Sequence, residues 1–304
     1  MKSITLFLKG IAMGAADVVP GVSGGTIAFI TGIYQELLDS IQRINVHALR
    51  VLWQQGPKAA WQAINGGFLL TLGTGILFAL FSLARILHYL LLHHPVFLWA
   101  FFFGLILASC WHMVRTIPHW QRSQYLALIF GAAVAASISL LAPTSIEATP
   151  WIIFFAGSIA ICAMILPGIS GSFILLLMGL YEPILGAVKQ LDLSVLMIFA
   201  TGAVLGLMVF SRLLSWLLDH YRATMLALLT GFMAGSLVKV WPWKETVQYR
   251  LNSSGHEVPW LQINQWPSVQ DGAALGFALL LMLVGAGTVL LLERWAHVDN
   301  RAAE

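Results

Sequence analysis

The sequence predicts an all-α polytopic membrane protein made of two inverted repeats, each with a Pro/Gly-broken helical hairpin and three transmembrane helices. Three observations predict this fold. Hydrophobic residues make up 59% of the 304 residues and charged residues only 10%, whereas a soluble domain carries roughly a quarter charged residues. Long apolar runs recur along the chain, and two matching Pro-Gly breaks occur, one in each half. The composition excludes a soluble globular enzyme and a disordered chain.

Six apolar runs are long enough, or nearly so, to cross the membrane. A helix needs roughly 20 mostly apolar residues to span about 30 Å of hydrocarbon. The runs cover residues 66–84, 95–114, 124–142, 193–211, 223–238 and 272–292. We expect one membrane-spanning helix in each run.

Two further apolar segments, residues 10–38 and 148–181, are interrupted near their middle. The interruptions are Pro20, Gly21, Pro167 and Gly168. Proline lacks a backbone N–H and clashes with the preceding helical turn, so each segment is expected to form two short helices around a bent tip. Arms of roughly 17 residues fit either a re-entrant hairpin or two short spans. We favour the re-entrant hairpin.

Two segments are not expected to span. Residues 39–63 carry apolar side chains at helical spacing with Arg43 and Arg50 between them. This pattern is typical of a basic amphipathic helix that lies on the membrane surface. Residues 241–271 are rich in Trp, Pro, Asn and Ser, and we expect them to form the one long external loop.

The chain carries an internal duplication. The letters V-P-G-V-S-G-G-T at 19–26 match L-P-G-I-S-G-S-F at 166–173. Further along, Thr74 matches Thr201 and Gly104 matches Gly231. The residues of these two pairs are separated by the same number of positions, which is smaller than the separation of the two Pro-Gly breaks. The surface segment present only in the first half accounts for the difference, as a duplicated chain allows.

The predicted repeats cover residues 1–145 and 146–304. A hairpin contributes zero crossings or two, so the number of crossings in each half is odd and the second half is inserted upside down. Inverted repeats of this kind are typical of secondary transporters. Lys and Arg divide eleven to five between the two predicted sides, and the positive-inside rule then places both termini in the cytoplasm.

The two bent tips are the first candidates for a functional site. A helix begins after each break, with unpaired backbone N–H groups and the positive end of its dipole, and such a start binds phosphate or carboxylate. The alternative is that small residues there only permit tight packing. The candidate phosphate-binding residues of the tips are Ser23, Gly24, Gly25, Thr26, Ser170, Gly171 and Ser172.

Arg85 and Arg212 are the second candidates, because they occupy the same position of the two repeats. A charge within a membrane segment is costly and usually functional, and arginine suits an anion with several oxygens. The pair could escort a phosphate from either side. The alternative is that both side chains extend to the headgroups at helix ends.

Three acidic residues complete the candidates. Asp17 lies three residues before the first break and its repeat mate is Met164, so it could pair with an arginine, carry a coupling proton or cap a helix end. Glu36 and Glu182 follow the tyrosines at the hairpin ends, and we expect them at the membrane interface. No metal-ligand spacing and no nucleotide-binding motif are present, so no metal and no cofactor are expected.

These residues resemble a known family. M-G-A-A-D-V-V-P-G-V-S-G-G-T-I-A-F-I-T-G-I-Y and its echo I-L-P-G-I-S-G-S-F-I-L-L-L-M-G-L-Y are similar to the signature of the bacterial polyprenyl-phosphate transporter family, PopT. The resemblance implies a protein of the bacterial cytoplasmic membrane that returns undecaprenyl phosphate, a carrier lipid of surface-polysaccharide synthesis, from the outer to the inner leaflet. It also implies that the two tips form the central site and that Asp17 belongs to the motif.

Two other functions stay open. Undecaprenyl-diphosphate phosphatases also combine inverted repeats with a P-G-x-S-R-S-G-type motif, but here Gly24 and Gly171 follow the serines, and a paired-glutamate motif for acid–base chemistry is missing. A small-anion transporter would need a closed aqueous path. The expected partners are polyprenyl phosphate and membrane lipids, with the proton as candidate coupling ion. The basic residues are too scattered for nucleic acid.

Overall fold

The computed structural model describes residues 3–19, 22–144, 146–251, 257–267 and 272–301. The described part of the first half contains α1 (Ser3–Val18), α2 (Gly24–Ile30), α3 (Tyr34–Gln42), α4 (Val46–Gln55), α5 (Pro57–Ala63), α6 (Gly66–Ser82), α7 (Ala84–His93), α8 (Pro95–Thr116) and α9 (Arg122–Leu140). The second half contains α10 (Pro150–Ile165), α11 (Gly171–Leu177), α12 (Tyr181–Gln190), α13 (Leu193–His220), α14 (Arg222–Val240), β1 (Lys244–Leu251), β2 (Glu257–Asn264) and α15 (Gly272–Arg301).

All six apolar runs lie in helices, and the protein is a multi-pass membrane protein. Helices α8, α9, α13, α14 and the central part of α15 are each long and apolar enough to cross a bilayer. The sixth run is α6, which passes the same criterion only together with α5, and the two helices meet at an angle of 73°. Each of these segments is apolar because lipid offers no partner to a polar side chain.

The two Pro/Gly-interrupted segments are helical on both sides of the break. The arm before each break is a 16-residue helix, α1 or α10, whereas the helix after it, α2 or α11, has only seven residues. The sequence had predicted arms of similar length. Two residues after each seven-residue helix comes a glycine with positive φ, Gly32 or Gly179, and a new helix then begins. The axes of α11 and α12 differ by 109°.

The prediction of one continuous surface helix over residues 39–63 is wrong. Its first residues belong to α3, and two separate helices, α4 and α5, follow. The chain breaks at Gly56, which has a φ of 88°, and Pro57 starts the next helix. Only glycine adopts that conformation without strain. The apolar side chains of Val46, Leu49 and Trp53 are exposed, as an interfacial location would require.

The predicted external loop contains a β-hairpin, so the fold is not purely α-helical. Strands β1 and β2 are antiparallel, with Lys244 opposite Asn264 at the open end and a bulge after Thr246. The strand signal was present in the sequence, because Val247, Tyr249 and Leu251 alternate with polar residues, as strand residues do. The Trp- and Pro-rich composition of the segment obscured it.

Helix pairs approach closely where a glycine of one helix meets a backbone carbonyl of the next. In the pair α1 and α6, a Cβ at Gly10 would collide with the carbonyl oxygen of Leu72. In the pair α10 and α13, a Cβ at Gly157 would collide with the carbonyl oxygen of Phe199. The two glycines occupy matching positions of the duplicated sequence, and so do Leu72 and Phe199. Small residues permit such close packing within membranes.

Matching contacts between a glycine and a backbone carbonyl also occur between the two predicted halves of the chain. Helix α8 packs against α15, and α9 packs against α14. A Cβ at Gly104 would collide with the carbonyl oxygen of Met282, and a Cβ at Gly231 would collide with that of Leu128. Because Gly104 and Gly231 are repeat mates, equivalent glycines make equivalent contacts, each with a helix of the other half. Helices α8 and α14 also contact one another and form the centre of the bundle.

Candidate functional site: two broken helices in contact

The candidate site lies where the ends of the broken helices meet. The first break falls between α1, which ends at Val18, and α2, which begins at Gly24. The second falls between α10, which ends at Ile165, and α11, which begins at Gly171. Two of the predicted break residues, Pro20 and Gly21, lie outside the described residues. Their counterparts Pro167 and Gly168 lie inside them, and Gly168 has a φ of +84°.

Three hydrogen bonds join the first broken segment to the second. The Ser23 hydroxyl donates to the carbonyl oxygen of Met164 at 2.8 Å. The backbone N–H of Gly168 donates to Thr26 Oγ1 at 2.9 Å. The Tyr34 hydroxyl donates to the carbonyl oxygen of Ile165 at 3.2 Å. In all three bonds a side chain of the first segment serves a backbone group of the second. Ser23 and Thr26 are thereby placed against the second break, and the first tip supplies partners for the polar groups that this break exposes.

The first tip is capped by its own side chains. Asp17 Oδ1 accepts from the N–H of Gly24 at 2.7 Å, and Ser23 Oγ accepts from the N–H of Gly25 at 3.1 Å. The N–H of Thr26 donates to the carbonyl of Ser23 at 2.9 Å. Asp17 therefore occupies the position at the start of α2 that an anionic ligand would take. An anion could bind these N–H groups only by displacing the carboxylate.

The second tip is different. Ser170 precedes α11 but makes no capping hydrogen bond, and its hydroxyl lies 2.9 Å from the hydroxyl of Ser172. Among the described residues, no acceptor receives the N–H of Gly171 or Ser172. Two hydroxyls and two backbone donors therefore converge at the start of α11. Donors in this arrangement suit a group with several anionic oxygens.

The backbone packs tightly around both tips. A Cβ at Gly25 would collide with the carbonyl oxygen of Ile165, and a Cβ at Gly171 would collide with that of Ala160. A Cβ at Gly24 would press on the Asp17 carboxylate. These glycines thus permit close helix packing, as the alternative interpretation of the tips requires. Their lack of a side chain would also let a ligand come close to the backbone.

The structure does not bring the two arginines to the tips. Arg85 lies in the first turn of α7 and Arg212 lies in α13, and both side chains are exposed on the surface of the bundle. The residue before Arg212, Ser211, is buried, and its carbonyl accepts from Gln42 Nε2 at 3.0 Å. The arginines therefore face the surroundings of the helix bundle rather than the contact between the breaks.

Sequence reasoning missed Lys9 as part of this region. Its side chain is buried, and its ammonium donates to the carbonyl oxygen of Thr31 at 2.9 Å, at the C-terminal end of α2. A cation at that position stabilises the negative end of the helix dipole. The sequence does carry a signal, because Lys9 interrupts an apolar run two helical turns before Asp17.

The two glutamates at the hairpin ends differ in environment. Glu36 is in the first turn of α3, and its Oε1 accepts from Asn65 Nδ2 at 3.2 Å in an exposed position. Glu182 is in the first turn of α12, and its buried Oε2 has no hydrogen-bond partner among the described residues. Both positions are favourable for an acid, because the start of a helix attracts negative charge.

Comparison with known proteins gives a consistent result. A family model described as undecaprenyl phosphate translocase-like matches residues 13–258, which include both tips. The chain is 54% identical over 303 residues to the polyprenyl-phosphate transporter of Vibrio cholerae, and the match covers 98% of both chains. It is 34% identical over 254 residues to the polyprenyl-phosphate transporter of Staphylococcus aureus, which covers 77% of this chain and 85% of that one. No solved structure matches the chain.

The hydrogen bond between the tips can be tested with Thr26→Val. This substitution keeps the shape of the side chain but leaves the buried N–H of Gly168 without its acceptor, which costs roughly 1–3 kcal/mol. We expect the variant to unfold at lower temperature in detergent, and Thr26→Ser to retain most of the stability. Thr74→Val is the control, because its exposed hydroxyl bonds only within its own helix. Equal stability of the Thr26 and Thr74 valine variants would contradict the assignment.

Proposed function

The chain belongs to the undecaprenyl phosphate translocase-like family, and we propose that it transports polyprenyl phosphate across the bacterial cytoplasmic membrane, from the outer to the inner leaflet. Both relatives are named as polyprenyl-phosphate transporters. The apolar tail of such a lipid can stay in the bilayer, whereas the charged head must cross about 30 Å of hydrocarbon. A transporter therefore has to shelter only the head.

The contact between the two tips carries this proposal. Helices α2 and α11 have seven residues each, which is about 10 Å, so neither could cross the membrane alone, and re-entrant hairpins are favoured. The head would bind at the second tip, where Ser170, Gly171 and Ser172 offer donors. The first tip, with Ser23 to Thr26, would form the opposite wall of the site.

The packing of glycines supports inverted repeats. Equivalent glycines meet equivalent carbonyls within each half and, through α8 with α15 and α9 with α14, between the halves. A pseudo-two-fold axis through the contact of α8 with α14 would produce this pattern. Inverted halves of this kind can rock about a central site and expose it to each leaflet in turn.

The halves differ in one respect that bears on alternating access. Helix α3 packs against α13 of the other half, and there Ser215 Oγ donates to Asp39 Oδ1 at 3.1 Å. Both α3 and α12 also pack against the helix of their own half, α6 or α13, but α12 makes no comparable contact with α6 of the other half among the described residues. With the predicted orientation, α3 and α13 close the cytoplasmic side. This asymmetry fits a conformation that receives its substrate from the outer leaflet.

The exposed arginines fit an escorting role better than a place in the central site. In the proposed orientation Arg85 lies nearer the outer face and Arg212 nearer the cytoplasm. Each could attract a lipid phosphate at the surface of the bundle before or after the head passes the tips. The termini would both lie in the cytoplasm, as the distribution of Lys and Arg favours.

The proposal is tested by reconstituting the purified protein in liposomes with a labelled polyprenyl phosphate and measuring headgroup access on both sides. We expect head movement faster than in protein-free liposomes, and competition by short-chain prenyl phosphates but not by free phosphate. Competition by free phosphate alone would favour a small-anion transporter. Phosphate release from a polyprenyl diphosphate, assayed in parallel, would favour a phosphatase.

Alternating access is tested by joining α3 to α13. With the native cysteines replaced by alanine, Asp39→Cys and Ser215→Cys place two thiols where the side chains now form a hydrogen bond. A short thiol cross-linker should stop transport by holding the predicted cytoplasmic side closed, and a cleavable linker should restore it on reduction. Each single cysteine variant, treated in the same way, is the control. Full transport by the cross-linked protein would refute this gate.

Two substitutions distinguish a proton-coupling role of Asp17 from a capping role. Asp17→Asn keeps an oxygen that can accept from the N–H of Gly24 but removes the charge, whereas Asp17→Ala removes both. If Asp17 carries the coupling proton, the asparagine variant should fold normally and lose the dependence of transport on an imposed pH gradient. The alanine variant should also lose about 1 kcal/mol of stability. An asparagine variant with the wild-type response to pH would leave Asp17 with the capping role alone.

A further inference from the structure

A second polar region lies near the bundle end at which α9 and α14 finish. A cavity of about 310 Å³ is enclosed there by these helices, α11 and the β-hairpin. Its volume is at the lower end of the roughly 300–1,000 Å³ typical of small-ligand pockets. The residues that matter for its chemistry are Ser139, Phe173, Lys239, Lys244 and Asn264. None of them was a candidate in the sequence.

Two lysines line this cavity together. The Lys239 ammonium lies 4.2 Å from the centre of the Phe173 ring, and the Lys244 ammonium lies 3.9 Å from that of the Trp99 ring. The Lys244 ammonium also donates to the backbone carbonyl of Lys239. Neither lysine forms a salt bridge with a carboxylate whose side chain the structure describes. The two cations therefore share a cavity in which aromatic rings and a carbonyl are their described partners.

This arrangement is costly without an anion. Removing an ammonium from water costs more free energy than a cation–π contact returns. Burial and the neighbouring charge of Lys239 accordingly lower the pKa of Lys244 well below its ordinary value. An ammonium has three N–H donors, of which one in Lys244 is used by the carbonyl. An anion in the cavity would neutralise the charges and accept the remaining hydrogen bonds.

One wall of the cavity is formed by Phe173 and Leu176 of α11, the helix that begins at the second tip. Phe173, which packs on Lys239, directly follows Ser172 in α11. On the other wall, the backbone of Gly168 packs against Met233 of α14, and Lys239 follows six residues later, about 9 Å along the helix. Asn264 and Ser139 add polar groups to the lining. In the proposed orientation the cavity lies on the outer side of the protein.

We infer that Lys239 and Lys244 bind the phosphate monoester head of a polyprenyl phosphate in this cavity, as an entry site on the outer side that precedes the two tips. The inference rests on the proposed function, to which it adds a location for capture. The ligand chemistry is a phosphate with at least one anionic oxygen for each ammonium. A lipid head and free phosphate share this chemistry, so the experiment must separate them.

The first test uses the wild-type protein in detergent and the acylation of lysine amines, followed by mass spectrometry. Because burial lowers the pKa of Lys244, a larger share of its amine is unprotonated at a given pH than in an exposed lysine. Farnesyl phosphate should slow acylation of Lys239 and Lys244 about tenfold at saturation, whereas farnesol should not. Lys189, exposed and outside the cavity, should react equally in all samples. Absence of protection by farnesyl phosphate would overturn the site, and equal protection by inorganic phosphate at the same concentration would overturn its assignment to a lipid.

The second test measures transport from the outer leaflet by Lys239→Gln and Lys244→Gln, with Lys189→Gln as the control. Loss of one charge-assisted contact should raise the lipid concentration for half-maximal transport about tenfold, while the maximal rate persists. An unchanged half-saturation would refute the entry site and leave the proposed function intact. If the wild type moves no lipid, the proposed function fails, and the acylation test still decides whether the two lysines bind phosphate.

Discussion

A helix that breaks inside a membrane exposes backbone donors and acceptors that lipid cannot satisfy, and this constraint shapes the protein described here. Side chains of the first segment satisfy both breaks, its own through Asp17 and Ser23 and part of the second through Ser23, Thr26 and Tyr34. Ser23 reaches the carbonyl of Met164, and the N–H of Gly168 reaches Thr26. The surrounding glycines let the backbones come close enough for these bonds. The same contact thus depends on both close packing and hydrogen bonding. The packing interpretation and the ligand-binding interpretation of the Pro-Gly motifs are therefore compatible.

The contact is not symmetric, although the motifs are. The first tip brings its own anion, Asp17, and its own cap, Ser23, whereas the start of α11 keeps donors that meet no described acceptor. All residues of α2 are buried. In the proposed mechanism the first tip therefore forms a wall of the site and the second tip binds the lipid head. The cavity with Lys239 and Lys244 is lined by Phe173 and Leu176 of α11, so both of the proposed phosphate sites involve this helix.

Much of the fold could be predicted because hydrophobic length and proline are strong signals. The six apolar runs and both breaks appear where the sequence indicates them. The β-hairpin was missed because its alternating pattern is short and lies among loop-forming residues. In the site, residue types near the breaks were predictable, but their partners were not. Whether Asp17 bonds to Gly24 or to an arginine depends on side-chain direction, and the convergence of Lys239 with Lys244 depends on a turn and a strand that no spacing rule relates.

The bonds between the tips also bear on how the chain is made. They join residues 131 to 142 positions apart in sequence, so the first hairpin leaves the ribosome well before its partner exists. Through that interval Ser23 and Thr26 have no second hairpin to bond with, and a long-range contact of this kind forms late in assembly. The bonds of Asp17 with Gly24 and of Lys9 with Thr31 lie within the first segment, so they need no partner from the second half and can form before it is made.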